Sequence, residues 1–178
     1  VPDPALVVAA VDLAASLLFP MRTRWHHTIG VAYRAGELTG TVDPAEREVL
    51  VAAAWLHDIG YAARDTGFHP VDGARHLAGL GWPPRLVALV AHHSGARFTA
   101  QAQGLGHLMA PYPHEDSPLS DALAYADQTT DPGGSPVTLR GRLAEMLARH
   151  GSDSANARAH HLRGPYLHEV ADRVESRL

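Results

Sequence analysis

The sequence predicts an all-α fold, a single-domain helical bundle, and three observations carry that expectation. Proline recurs at the start of apolar segments beside an acidic or hydroxyl residue, the punctuation of helix N-termini. Glycines close several of the same segments. No stretch alternates apolar and polar residues with the β-branched enrichment of a strand, so no sheet is expected.

Taken in order, the first helix spans 4–19 and opens at Asp3-Pro4. Its run "ALVVAAVDLAASLLF" lacks a basic n-region, carries Asp12 and is too short to span a bilayer. It therefore reads as a packed helix rather than a signal peptide or membrane segment. The second helix covers 22–38. The third, 44–58, takes Asp43 as N-cap, Pro44 at its first position and Glu46 to complete a capping box. It stops before Gly60, read as a left-handed cap. Helices follow at 69–79, closed by Gly79 and Gly81, at 84–94 after Trp82-Pro83-Pro84, and at 118–130 after Ser117-Pro118. Two more, 137–150 and 154–177, complete the chain. Residues 101–117, with Gly104, Gly106, Pro111 and Pro113, are expected to form a long loop or lid, and "TTDPGGSP" at 130–137 a turn cluster. No internal repeat or inter-domain linker is evident, so 1–178 is expected to be one domain.

Length and composition narrow the function classes. At 178 residues, 46% hydrophobic and 19% charged, the chain has the make-up of a globular protein with a real core. A net charge of −4 offers no general basic field for nucleic acid or an anionic membrane. The absence of cysteine excludes disulfides, thiolate metal sites and a cysteine nucleophile, and is compatible with a cytoplasmic location. No Gly-rich phosphate loop or Ser/His/Asp relay is present. Against that background, 13 histidines are the unusual count. The chain begins at Val1 rather than methionine, which leaves room for residues upstream.

The helical phase of the histidines and aspartates is informative. Leu50, Ala53 and His57 fall at i, i+3, i+7, so His57 continues an apolar stripe. Asp58 lies about 100° further round, but at a helix end it can turn toward the same point. His27 shares a face with Val31 and Leu38, which favours it over His26 as the inward residue. His93 follows the Leu86/Val90 direction, with His92 rotated toward the edge. Asp127 continues Leu119 and Leu123, and His69 opens a helix beside Pro70. A lone histidine on an apolar stripe is more often a hydrogen-bonded core residue than a ligand. Six inward groups spread over five helices point instead to a metal site. Nitrogen and carboxylate donors without thiolate suit one or two divalent ions of Fe, Mn, Co, Ni or Zn, and the carboxylates also admit Mg.

The order His27-Thr28, His57-Asp58-Ile59-Gly60 and Asp127 resembles the HD superfamily of metal-dependent phosphohydrolases, over about residues 22–131. The resemblance implies an α-helical bundle of the HD-domain type, with 132–178 as C-terminal helices. It further implies a first ion held by His27, His57, Asp58 and Asp127, with Asp58 as bridge, and a second held by His69 and His93. In "AHHSGA" the match can fall on His92 or His93. The lysine often found after the signature is replaced by Tyr61, and "HHSGAR" lacks the Gly-Tyr-Pro motif of the cyclic-di-GMP branch. The set is also similar to bacterial hydrolases of diadenosine tetraphosphate.

The expected activity is hydrolysis of a phosphate ester or anhydride in a nucleotide or small phosphorylated metabolite, by a metal-activated hydroxide. Asp58 and His92 are the candidate catalytic residues, His92 as a hydrogen-bond donor to substrate or leaving group. Arg64 and Arg97 are candidates for gripping phosphate, and Arg140 and Arg142 have a weaker claim. Two alternatives share the scaffold. One is an HD-type di-iron oxygenase, disfavoured because "LLFPMRTRW" lacks the tyrosine and glutamate such phosphonate enzymes carry before the first histidine. The other is a non-catalytic ligand-sensing domain, against which the intact ligand set argues.

Overall fold

Caps and backbone contacts set the helix boundaries in the computed structural model, which describes residues 4–178. Nine α-helices follow one another among them: α1 (Pro4–Leu18), α2 (Arg22–Glu37), α3 (Arg47–Leu56), α4 (His69–Gly79), α5 (Pro84–His92), α6 (Ala96–Ala102), α7 (Pro118–Gln128), α8 (Leu139–His150) and α9 (Ala155–Glu175). An isolated Thr130–Pro136 bridge is the one β pairing among the described residues. The all-α expectation holds. No helix of the described residues is long and apolar enough to cross a membrane.

The hydroxyl caps behave as the residues dictate. Ser117 and Ser120 bond each other's backbone N–H reciprocally at the start of α7, and Thr138 and Ser154 cap α8 and α9. The expected Asp3 cap of α1 lies outside the described residues.

Three expectations are corrected. Asp43 accepts from Ala45 N at 2.8 Å, but it caps a 3₁₀ turn (Pro44–Glu46) ahead of α3. Glu46 completes no capping box there; its carboxylate is taken by Arg85 at 2.6 Å. Gly60 has no positive φ and is not a left-handed cap. It lies in a 3₁₀ turn (Ile59–Tyr61), where a Cβ would sit 2.5 Å from Gly73 N and would overlap the His69 carbonyl. Close approach of α4 is what requires glycine here. Lastly, 84–94 is not one helix. Ser94 (φ 54°) and Gly95 (φ 69°) are both left-handed, so α5 stops at His92 and α6 begins at Ala96.

Nor is 101–117 a lid over the cavity described below. Met109 is buried, and Leu105, Leu108 and Tyr112 pack beside it on the core. Glu115 pairs with Arg85 at 2.8 Å.

Two apolar clusters divide the interior. One joins Val31, Leu38, Leu50, Leu119, Leu123, Leu143 and Leu167. The other joins Leu18, Leu56, Ile59, Phe68, Val71, Leu77, Leu86 and Val90. Helix α3 serves both, through Leu50, Ala53 and Ala54 on one side and Ala52 and Leu56 on the other. His57-Asp58, at its end, therefore emerges between two packed bodies and is held from both.

Candidate metal centre

Backbone carbonyls fix three of the histidine rings. His57 Nδ1 donates to Ala54 O at 2.7 Å, and His93 Nδ1 to Val90 O at 2.6 Å, each within its own last helical turn. His27 Nδ1 donates to Asp131 O at 2.8 Å. That carbonyl is delivered by the 130–137 turn, where Gly134 lies so close to α2 that a Cβ on Gly30 would be 2.6 Å from the Gly134 Cα. A carbonyl only accepts, so each Nδ1 carries a proton, and in the neutral ring each Nε2 keeps its lone pair. Outer partners of this kind commonly orient metal-ligating histidines.

The Nε2 atoms converge with two buried carboxylates. His27 Nε2, His57 Nε2 and an Asp127 oxygen lie within 4.8 Å of one another, and so do an Asp58 oxygen, His69 Nε2 and His93 Nε2. Asp58 faces both groups: Oδ2 is 3.3 Å from His57 Nε2 and 3.9 Å from His27 Nε2, while Oδ1 is 3.3 Å from His69 Nε2. Asp127 Oδ1 is 2.9 Å from His27 Nε2, and its Oδ2 accepts from the Ser94 hydroxyl and from Gln128 Nε2. His57 Nε2 is buried with no hydrogen-bond partner. A lone pair orphaned among other lone pairs is costly, and a cation at that point satisfies all of them. This donor set of imidazole and carboxylate fits one or two divalent ions.

All six predicted groups are brought together. The phase argument that preferred His27 to exposed His26, and His93 to His92, agrees with their burial.

The electrostatics reflect a cluster without its cation. Burial pushes the His93 imidazole down to about 3, and His57 and His69 add to that. Burial also lowers His57, but Asp58 and Asp127 outweigh it and lift the metal-free imidazole to about 9. Burial raises both carboxyls, yet His57 and Arg24 hold Asp58, and His27 and His57 hold Asp127, well below the usual range.

A pH dependence follows. The folded His57 value lies above its ordinary 6.5, so protonation stabilises the metal-free fold fully below about pH 6.5. That contribution is lost as pH rises through about 9. Thermal unfolding in chelator is expected to show Tm falling from pH 6.5 to 9. A divalent ion competes for the same lone pair, so the Tm increment it produces grows over the same window. A metal-free Tm that stays flat or rises there contradicts the assignment.

The cluster forms part of the wall of a cavity of about 380 Å³, within the range of small-molecule sites. His57 is fully buried behind that wall, and the predicted substrate-side residues His92, Arg64 and Arg97 are not in it either. His92 turns away: its Nε2 meets Tyr112 O at 2.8 Å and its ring packs against His114. Arg64 is exposed and bonds Tyr61 O at 3.2 Å. Arg97 lies over Phe98 and Tyr166 and contacts His114. A step of one residue on a helix rotates the side chain by about 100°, which is enough to send His92 to the other side of α5.

Other cations line the cavity instead: Arg24, Arg142, Arg149 and Arg163. Arg142 is buried, with Nη1 on Glu145 at 2.5 Å and Nε unpartnered. Arg149 shares Glu145 at 3.0 Å. Arg163 is buried with Nε on Ser94 O at 2.7 Å, and no carboxylate pairs with it among the described residues. Arg142 had a weak claim from its place after Asp127; Arg140 is exposed and outside the cavity. Arg24 was legible one helical turn before His27, on nearly the same face. Arg149 and Arg163 carry no local signal, since only the docking of α8 and α9 turns them inward.

Comparison with known proteins agrees with this geometry. Residues 24–130 match the family model of the HD domain. A 64-residue segment is 38% identical to a tRNA (cytidine(56)-2'-O)-methyltransferase of Picrophilus torridus, covering 35% of this chain. The chain spans only 19% of the length of that relative. No solved structure matches the chain.

Proposed function

The chain belongs to the HD domain family, and from that premise we propose that it is a metal-dependent phosphohydrolase acting on a phosphate ester or anhydride of a nucleotide or small phosphorylated metabolite. The observation that carries the reading is the position of Asp58, whose two oxygens face separate donor groups at one end of a cavity rich in arginine. His27, His57, Asp58 and Asp127 would hold one divalent ion, and Asp58, His69 and His93 would hold the other. Such ions, when bound, would lower the pKa of water toward neutrality and neutralise phosphoryl oxygens.

The protein's own groups do the rest. Ser94 and Gln128 occupy Asp127 Oδ2 and so keep Oδ1 turned toward His27. Arg163, a buried cation without a carboxylate, and Arg142, with an unpartnered Nε, favour an anion in the cavity. They take the role that the sequence suggested for Arg64 and Arg97. The methyl transfer named for the Picrophilus torridus protein is not adopted, because the shared segment is a small part of that protein.

The test is metal analysis of protein purified without added metal, coupled to a phosphate-release screen across nucleotides and phosphoesters. The expected result is up to two ions per chain and phosphate release that chelation abolishes and Mn²⁺ or Co²⁺ restores. Iron with oxygen consumption and no phosphate release would overturn it in favour of an oxygenase. On an active substrate, Arg142→Ala is expected to raise KM by about 10- to 100-fold, the loss of one charged hydrogen bond. An unchanged KM removes Arg142 from substrate binding.

A further inference from the structure

His69 is the odd histidine of the cluster. The other three have Nδ1 on a backbone carbonyl, whereas the polar contacts of His69 are at Nε2 alone: Asp58 Oδ1 at 3.3 Å and His93 Nε2 at 3.4 Å. It is also the most exposed of the four, with a quarter of its side chain open to the cavity. Its main chain is well anchored. Gly60 packs against its carbonyl, and the approach to α4 is tied down by Asp72, whose carboxylate accepts from Thr66 N at 2.7 Å and Gly67 N at 3.1 Å. None of these contacts sets the rotation of the imidazole.

Tyr61 does. Its ring stacks on His69 with centroids 4.1 Å apart and planes 16° from parallel. The Arg24 guanidinium lies over the same tyrosine, 3.9 Å from the ring centroid. Two groups that close to one ring cannot share a face, so Tyr61 is the middle layer of three. Both outer layers reach one carboxylate: Arg24 Nη1 donates to Asp58 Oδ2 at 2.6 Å, and His69 Nε2 faces Asp58 Oδ1. Arginine, tyrosine, histidine and aspartate thus form a closed loop of contacts.

We infer that Tyr61 is a positioning residue that holds the His69 ring in place through stacking, and thereby shapes the seat of the second ion. This rests on the two-ion reading given above. A flat ring against the imidazole replaces the carbonyl hydrogen bond that the other three histidines use. A lysine at this position, as the HD resemblance leads one to expect, would have no ring to lay against His69. The stack acts chiefly on the second ion: Tyr61 lies directly on His69, whereas it reaches the His27–His57–Asp127 group only through Arg24 and Asp58 Oδ2.

The experiment is a cobalt(II) titration of metal-free protein, followed by calorimetry and by the visible absorption of the bound ion. Wild type is expected to bind two ions in two classes, and Tyr61→Phe, which keeps the ring, to match it. Tyr61→Leu is expected to keep the first class and weaken the second by about 10- to 100-fold, the usual effect of losing an outer partner. Tyr61→Met serves the same purpose if the leucine variant does not fold. Two undiminished classes in the folded Leu or Met variant overturn the inference while leaving the two-ion reading intact. Equal loss from both classes, or loss in Tyr61→Phe as well, overturns it too. Wild type that binds no cobalt overturns the two-ion reading itself, and the inference with it.

Discussion

Asp58→Ala is expected to remove both ions at once and to lower phosphate release by more than about 1,000-fold, because water without the ions is no longer acidified into a nucleophile at neutral pH. Asp58 approaches both donor sets through opposite oxygens. His69→Ala, by contrast, takes one ligand from one set and is expected to leave one ion bound. Metal content by mass spectrometry separates the two variants directly. A second readout needs no substrate. Asp58 is the larger of the two carboxylates' influences on His57, so in Asp58→Ala the fall in metal-free Tm between pH 6.5 and 9 should shrink or vanish. Arg24, a quarter of whose side chain is exposed, can turn to solvent once its partner is gone. Asp58→Ala that retains two ions per chain would refute the bridge.

Gly60→Ala is expected to be among the most damaging single methyl additions at the described glycines. The added Cβ would overlap the His69 carbonyl and stand 2.5 Å from Gly73 N and 2.8 Å from the His69 carbonyl carbon. All three are main-chain atoms of α4, so no side-chain rotation can relieve the clash. Overpacking that forces backbone movement typically costs about 1–3 kcal/mol, and a clash with main chain alone belongs at the upper end. In a chain of this length that is a Tm loss on the order of 10 °C. The shift of α4 carries His69 away from Asp58, so the second ion should be lost even where the variant still folds. Unchanged Tm and metal content would show that α4 does not pack on Gly60 as described. Gly60 thus serves a contact between helices rather than the helix end suggested by its place in the sequence.

Much of the site was legible because it follows from local periodicity. His27, His57 and Asp127 sit on apolar stripes of their own helices, and each stripe must face the interior whatever it packs against. Burying a carboxylate or an imidazole there without a partner is expensive, so several such residues on different helices imply one another. Where the chain leaves regular geometry the same reasoning lost its grip. The left-handed Ser94 and Gly95 end at His92 the helix read as 84–94, and α6, seven residues long and too short to show a period, was not read at all. The break matters to the site. It lets His93 point inward, puts the Ser94 hydroxyl on Asp127 and offers the Ser94 carbonyl to Arg163.

Helix class, helix order and the six inward donors were thus written in the chain, since period, caps and the cost of burying charge act over a few residues at a time. The cavity's arginines, the rejection of His92, Arg64 and Arg97 from its wall, and the Arg24–Tyr61–His69 stack were decided by tertiary structure. Each depends on how helices distant in sequence dock: α8 and α9 bring Arg142, Arg149 and Arg163 to the cavity, and α2 meets the turn after α3 so that Arg24 covers Tyr61. A long arginine reaches many points from one backbone position, and a tyrosine just past a helix end has no stripe to follow. For such side chains the surroundings, not the local pattern, select the direction, and those surroundings exist only once the bundle has closed.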